Sequence, residues 1–188
     1  MEAIDGRSPL YHYKGNLRFK EFGVDTLFTV TGDKLMPSAV FYLGKKEIPS
    51  GLQLISKNLS ETFLKYPGCA WIIDILEDTA NFYLRMIDYR VQNLYGYFGK
   101  QTHTAKIIGE QGFQNDLDGG LPFFQKYICN DSIMVDYVNA SELRKHVLNS
   151  NIEEMKKKYG KSFDDLLKLV YSFDDASNPV VIMVNSIQ

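Results

Sequence analysis

The feature that most constrains the fold of this chain is a series of short alternating segments separated by tight-turn residues. In the stretch NLRFKEF (16–22), odd-numbered residues fall on one face of a strand and even-numbered residues on the other. The turn residues KGN (14–16) and GD (32–33) lie at hairpin spacing around it. The pattern predicts antiparallel neighbours joined by tight turns, which is a β-meander.

The same pattern returns further along the chain. Four strand-like runs lie between residues 69 and 109, and another hairpin is expected around Asn130 and Asp131. The aromatic content of 13% also favours β structure, because aromatic side chains suit a pleated, half-buried surface. Three or four strands in every ~40–55 residues are typical of propeller blades. A sandwich or a barrel would also give many short strands, so periodicity leaves the choice open.

The pattern changes in the last third of the chain, where helical spacing appears. Asn139 is followed three residues later by Glu142, and Ser150 by Glu153, and both pairs have capping-box character. The pattern predicts two or three short helices over about 140–172. One very apolar strand then closes the sequence.

The charge balance and the cysteines exclude several classes of protein. A net charge of −2 argues against a nucleic-acid binder that works by bulk charge, and we expect no nucleic-acid partner. No apolar run approaches ~18 residues, so no transmembrane segment is expected. The N-terminus has neither a basic nor an apolar signal region, so no signal peptide is expected. Cys69 and Cys129 belong to no zinc-like cluster, and spacing alone leaves a disulfide or two thiols open.

Two further sets of residues show a resemblance to a known family. The first is a repeated element of the form Y-x-G-x-L-Y-F-K-E-x-x-x-D-T-(I/L)-(F/Y)-x-V, followed by L-x-P-x-x-V-F-x-L-G. The residues that match it are Tyr13, Gly15, Leu17, Phe19, Lys20, Glu21, Asp25, Thr26, Leu27, Phe28, Val30, Leu35, Pro37, Val40, Phe41, Leu43 and Gly44. The second set comprises Asn115, Asp116, Asp118, Gly119, Gly120, Pro122, Phe123, Val135, Tyr137, Ala140, Leu143, Asp174, Asp175, Asn178 and Pro179.

With these motifs the chain resembles the uncharacterised, lipoprotein-like six-bladed β-propeller family of Bacteroidetes, and specifically its C-terminal half. The resemblance implies a mainly β fold: a partial, about three-blade β-propeller of antiparallel meanders with a short helical insertion before the last strand. It implies a single segment over 1–188. Its blade-like groups are expected at about 8–48, 69–110 and 115–188.

The resemblance also implies a role. It favours a non-catalytic ligand- or protein-binding module of the bacterial cell envelope, in the periplasm or the outer membrane, without a cofactor. The alternatives are a carbohydrate-active propeller enzyme and a structural half that needs a partner chain. Half a propeller leaves two sheet flanks open, so we expect pairing with a second copy or with a missing N-terminal half.

The strongest candidate for a binding site is the stretch NDLDGG (115–120). Its Asn and Asp oxygens suit a hard cation, but the spacing fails the EF-hand pattern, and we assign no metal. In a catalytic carboxylate pair the two acids face each other across the scissile bond, and the sequence supplies no surface opposite these two aspartates. A tight turn, in which Asx side chains bond their own backbone, is the structural alternative. The predicted ligand-binding residues are Asn115, Asp116, Asp118, Gly119 and Gly120, and no catalytic residue is assigned.

Other chemistry finds little support. The three histidines are far apart in the sequence, and neither a nucleophile elbow nor a phosphate-binding loop is present. Trp71 and the neighbouring tyrosines have the residue types that stack on sugars, but aromatic residues at strand spacing more often pack between sheets.

Overall fold

The computed structural model describes residues 10–21, 24–46, 66–88, 92–174 and 177–185. The chain divides into two compact units, one formed by Met1–Glu110 with Gln188 and the other by Gln111–Ile187. The described part is mainly β, with three open antiparallel sheets and three α-helices.

The first sheet is a four-stranded meander in the first unit. Its strands are β1 (Leu10–Tyr13), β2 (Asn16–Lys20), β3 (Thr26–Thr31) and β4 (Lys34–Val40), paired in chain order. Lys14 and Gly15 both adopt positive φ in the turn between β1 and β2, as a two-residue hairpin requires. A short 3₁₀ turn at Gly44–Lys46 follows the sheet.

The second sheet, also in the first unit, repeats this meander. Its strands are β5 (Ala70–Glu77), β6 (Asn81–Asp88), β7 (Asn93–Gly99) and β8 (Ala105–Gly109), again in chain order. Strand β5 is buried along almost its whole length, because both of its faces are apolar. The buried apolar side chains of this unit are Tyr11, Tyr13, Leu27, Cys69, Ala70, Trp71, Ile72, Ile73, Ile75, Leu76, Tyr83, Leu84, Met86 and Ile87.

The second unit combines a three-stranded sheet with helices. Its strands are β9 (Tyr127–Cys129), β10 (Ile133–Val138) and β11 (Val180–Asn185), with β10 in the centre. The β9–β10 hairpin turns at Asn130 and Asp131, which both adopt positive φ. A single antiparallel bridge between Phe113 and Phe123 precedes β9.

Three helices are inserted between β10 and β11. They are α1 (Ala140–Leu148), α2 (Ile152–Tyr159) and α3 (Lys161–Tyr171). Helices α1 and α3 form an apolar core of their own, which consists of Leu143, Val147, Phe163, Leu166, Leu167 and Val170. No helix in the described part of the chain has both the length and the apolar character that a membrane crossing requires.

Most of the expected elements are present, and the differences have local causes. The last strand of the first sheet spans Lys34–Val40 and contains Pro37. An edge strand tolerates this proline because one side of its backbone has no ladder partner. Helix α2 is capped by Asn151, which accepts from the Glu154 amide, and not by Ser150. Asp175 of the proposed C-terminal motif lies outside the described residues.

Helix α3 provides a matched test of its buried face. Leu167 is 8% exposed and belongs to the apolar core, whereas Leu169 is 44% exposed on the same helix. We expect Leu167→Ala to lower the free energy of unfolding by about 2–4 kcal/mol, since it removes buried methyl groups and leaves a cavity. Leu169→Ala should cost less than about 1 kcal/mol. Urea unfolding followed by circular dichroism measures both, and equal losses would contradict this core.

Candidate functional site

The predicted loop at 115–120 is closed by its own side chains. Asn115 Oδ1 accepts hydrogen bonds from the amides of Leu117 at 3.1 Å and Asp118 at 3.3 Å. Asp118 Oδ1 accepts from Asn115 Nδ2 at 2.8 Å and from the Gly120 amide at 2.9 Å. The loop is thus an Asx turn in which each side chain satisfies the other and the local backbone.

Both glycines of the loop meet a steric requirement. Gly119 has a φ of +76°, and a Cβ placed there would lie 2.6 Å from Met155 Cε. A Cβ on Gly120 would lie 3.0 Å from Asn115 Nδ2. Gly119 therefore lets the loop lie close against helix α2, and Gly120 lets it close on its own side chains.

The loop is also anchored from the helix side and presents a polar surface. The Tyr159 hydroxyl donates to the Asn115 carbonyl at 3.4 Å. Asp116 and Leu117 are exposed at the top of the loop. A hydrogen bond with the side chain of Tyr159 raises the pKa of nearby Lys158, and the negative charges of Glu154 and Asp116 act in the same direction.

The structure therefore brings Asn115, Asp118 and Gly120 into one hydrogen-bonded group and leaves Asp116 exposed beside it. No group of three or more His, Cys, Asp or Glu side chains arranged to hold a metal occurs in the described part of the chain. Trp71 is 2% exposed, so in this arrangement its ring packs inside the first unit.

A second polar centre, absent from the sequence predictions, lies between the two sheets of the first unit. Glu77 ends strand β5 and is only 3% exposed. Its Oε1 lies 2.7 Å from Arg18 Nε, and its Oε2 lies 2.6 Å from Lys100 Nζ. The Tyr11 hydroxyl donates to Oε1 at 3.4 Å. One carboxylate thus binds groups from β1, from β2 and from the turn after β7.

The cations around Glu77 are held from several directions. Arg18 Nη1 donates to the hydroxyls of Thr29 and Ser38. Lys100 Nζ donates to the Asp78 carbonyl at 2.6 Å and lies 4.2 Å from the centre of the Tyr13 ring. Such contacts with carbonyls and aromatic faces compensate for lost hydration. Burial, and then the charge of Glu77, raise the pKa of Tyr11, so its hydroxyl stays protonated and donates.

A buried lysine forms a third polar feature of the first unit. Lys20 is fully buried at the end of β2, and its ammonium donates to the Glu21 carbonyl at 3.2 Å. Burial lowers its pKa to about 8, although Asp25, Asp74 and Glu21 partly oppose this shift. Burial also raises the pKa of Asp74, which Arg85 partly offsets.

The Glu77 centre should contribute strongly to stability. Glu77→Gln leaves Arg18 and Lys100 without a countercharge, and we expect a loss of about 3 kcal/mol in the free energy of unfolding. This lies at the lower end of the usual cost, because both cations keep some contact with water. The exposed Glu142→Gln is the control and should cost less than about 1 kcal/mol. Similar losses in urea unfolding would show that the centre contributes little.

Lys20 should make stability depend on pH. An unfolded lysine has a pKa of about 10.4, so between pH 8 and 10 the unfolded state binds more protons than the folded state. The free energy of unfolding should therefore rise with pH in this window, by about 2 kcal/mol between pH 7.5 and 9.5. Lys20→Met should remove this rise, and the exposed Lys34→Met should keep it.

Tyrosine titration sets the upper limit of that experiment. The pKa values of Tyr11 and Tyr83 are raised by burial, so the unfolded tyrosines lose protons first and stability falls above about pH 10. Parallel pH profiles of wild type and Lys20→Met would assign the rise to another group.

This chain is similar to one solved structure and to one family of proteins. The crystal structure of a "Putative exported protein" from Bacteroides fragilis is 15% identical, with a TM-score of 0.63. The alignment covers 95% of this chain and 49% of the solved chain, so this chain spans about half the length of that protein. Among proteins with curated descriptions, none matches this chain. The family model for a domain of unknown function, DUF4934, matches residues 2–185, and the chain therefore belongs to that family.

Proposed function

We propose that this chain is part of a larger β-propeller that serves as a non-catalytic binding module of the bacterial cell envelope. The observation that carries the proposal is the repeated topology. In each of the first two sheets, four antiparallel strands pair strictly in chain order, as the strands of a propeller blade do. The third sheet keeps antiparallel pairing although three helices interrupt it before β11.

The extent of the similarity supports a partial ring. The alignment covers 95% of this chain and 49% of the Bacteroides fragilis chain, which leaves about as much polypeptide again in that protein. Three of six blades is therefore the proposed content of this chain. The Bacteroides fragilis protein is named as an exported protein, which supports an envelope location for this chain.

The loop at 115–120 is the proposed ligand contact. Its internal hydrogen bonds hold the backbone in one conformation while Asp116 stays exposed. A loop that is ordered before binding loses little entropy when a ligand arrives. A polar ligand with hydroxyl or cationic groups suits this carboxylate. The Asp118 carboxylate is instead engaged by Asn115 and Gly120, which disfavours an acid pair for glycoside cleavage.

Thermal unfolding in the presence of envelope glycan fragments tests this role. A binding module should be stabilised as the glycan concentration rises, and the glycan should be recovered unchanged by chromatography. Asp116→Ala should weaken the apparent affinity for the glycan, obtained from these shifts, at least about tenfold. This corresponds to the loss of about 1.4 kcal/mol of binding free energy.

The matched control for this experiment is Asp33→Ala, an exposed aspartate in the β3–β4 turn of the other unit. It should leave the glycan-dependent shift unchanged. If the wild type cleaved the glycan and Asp116→Ala did not, the chain would be an enzyme and the non-catalytic binding role would be wrong. If the two substitutions changed the glycan-dependent shift equally, the loop at 115–120 would not be the ligand contact.

A further inference from the structure

The second unit contains a groove along one face of helix α1. Its volume is about 590 Å³, and it is lined by Leu121, Glu142, Lys145, His146, Asn149 and Ser150. All but Leu121 belong to α1 or to the two positions that follow it, at the spacing of three and four residues that brings side chains onto one helix face. Sites for small molecules typically have volumes of about 300–1,000 Å³. The groove therefore has the size of a small-ligand site.

The other face of α1 fixes the backbone on which these side chains stand. Ala140, Leu143 and Val147 are buried on that face, and Leu143 and Val147 pack in the core that α1 forms with α3. Leu121 packs against the same core and is half-buried beside the groove. A ligand in the groove thus meets a preformed site and need not order a helix first.

The groove is rich in polar side chains that are not engaged with each other. Glu142, Lys145, His146 and Asn149 are exposed. None of these four side chains has a hydrogen bond or ion pair with any residue in the described part of the chain. Lys145 and His146 lie three and four residues after Glu142, a spacing at which opposite charges can pair, yet they do not. Glu142 and Lys145 are consequently both available to a ligand.

We propose that the groove binds a small zwitterion, namely a free amino acid or a short peptide with an apolar side chain. The Glu142 carboxylate accepts hydrogen bonds from the ligand's ammonium group, and the Lys145 ammonium donates to the ligand's carboxylate. The side chain of Leu121 offers the ligand its apolar contact. His146 and Asn149 add N–H groups to the same surface.

The chemistry of the lining favours this ligand class over other occupants. A ligand that carries only a negative charge is repelled by Glu142, and one that carries only a positive charge is repelled by Lys145. A nucleobase finds no aromatic side chain among the six lining residues to stack on. A covering protein surface would have to bury Glu142, Lys145 and His146, whereas the cores of protein interfaces are depleted in charged residues. A small ligand with both charges meets none of these obstacles.

The groove is separate from the ligand contact proposed above, because Asp116 is not among its lining residues. The inference therefore goes beyond the proposed function and does not rest on it. Its test uses a peptide instead of a glycan, and its variants lie on α1 instead of the 115–120 loop. The two proposals can accordingly fail independently.

Isothermal titration calorimetry of the full chain with L-alanyl-L-leucine tests the inference, and one bound peptide per chain is the expected result. Two modified probes each remove one charge of the ligand. N-acetyl-L-alanyl-L-leucine keeps the carboxylate alone, and L-alanyl-L-leucinamide keeps the ammonium alone. Each should bind at least about tenfold more weakly than the dipeptide, because it loses one charged hydrogen bond.

Two substitutions identify the residue that recognises each charge. Glu142→Gln should weaken dipeptide binding at least about tenfold but should not weaken binding of the acetylated probe, which has no ammonium. Lys145→Met should also weaken dipeptide binding at least about tenfold but should not weaken binding of the leucinamide probe, which has no carboxylate. Both positions are exposed, so the variants should keep the fold.

Matched controls come from helix α2. Glu153 and Lys157 are exposed there and lie outside the groove, so Glu153→Gln and Lys157→Met make the same chemical changes away from it. Neither control should change the affinity for the dipeptide. Asp116→Ala should leave that affinity unchanged as well.

Three results would overturn the inference. The first is the absence of dipeptide binding at millimolar concentrations. The second is equal affinity for the dipeptide and both modified probes, because the groove would then not recognise the charges of its ligand. The third is unchanged dipeptide affinity in both Glu142→Gln and Lys145→Met, which would place the bound peptide elsewhere on the chain.

Discussion

The buried carboxylate of Glu77 is the interaction on which the first unit depends. Two sheets that are separate along the chain both contribute to it, because Arg18 comes from β2 and Lys100 from the turn after β7. Removing these charged groups from water costs free energy. The centre stabilises the fold because every charged group in it has a hydrogen-bond partner. Apolar surfaces alone would allow the two sheets to slide, whereas charged hydrogen bonds require one orientation. The centre thus determines which face of the first sheet is buried and which is left open.

That choice of face also determines which apolar side chains of the first sheet remain exposed. A strand exposes alternate residues on its two sides, so a sheet with two apolar sides needs two neighbours. The first sheet finds one neighbour in the second sheet, and the third sheet finds one in its helices. On each of these two sheets, the register places apolar residues on the other side as well. The loop at 115–120 is independent of this requirement, because its conformation is maintained by its own side chains and helix α2.

Sequence reasoning located the meanders, the hairpin at Asn130 and Asp131, and a helical region at about 140–172 with two or three helices, because turns, alternation and helical spacing are local signals. The boundaries were less well predicted, since Ser150 and Asn151 are both good caps and only the observed backbone selects Asn151. The Glu77 centre had no such signal. Glu77 is 59 residues from Arg18 and 23 from Lys100 along the chain, and Glu77-Asp78 reads as ordinary turn residues.

By itself, the sequence determined the mainly β character, the order of the strand groups and the Asx chemistry of the 115–120 loop. These follow from interactions between residues close together in the chain. Only the tertiary structure decided which sheet faces are buried, that Lys20 is enclosed, and that one carboxylate joins two sheets. Those properties depend on contacts between distant segments, and alternation alone marks two faces without stating which of them meets a neighbour.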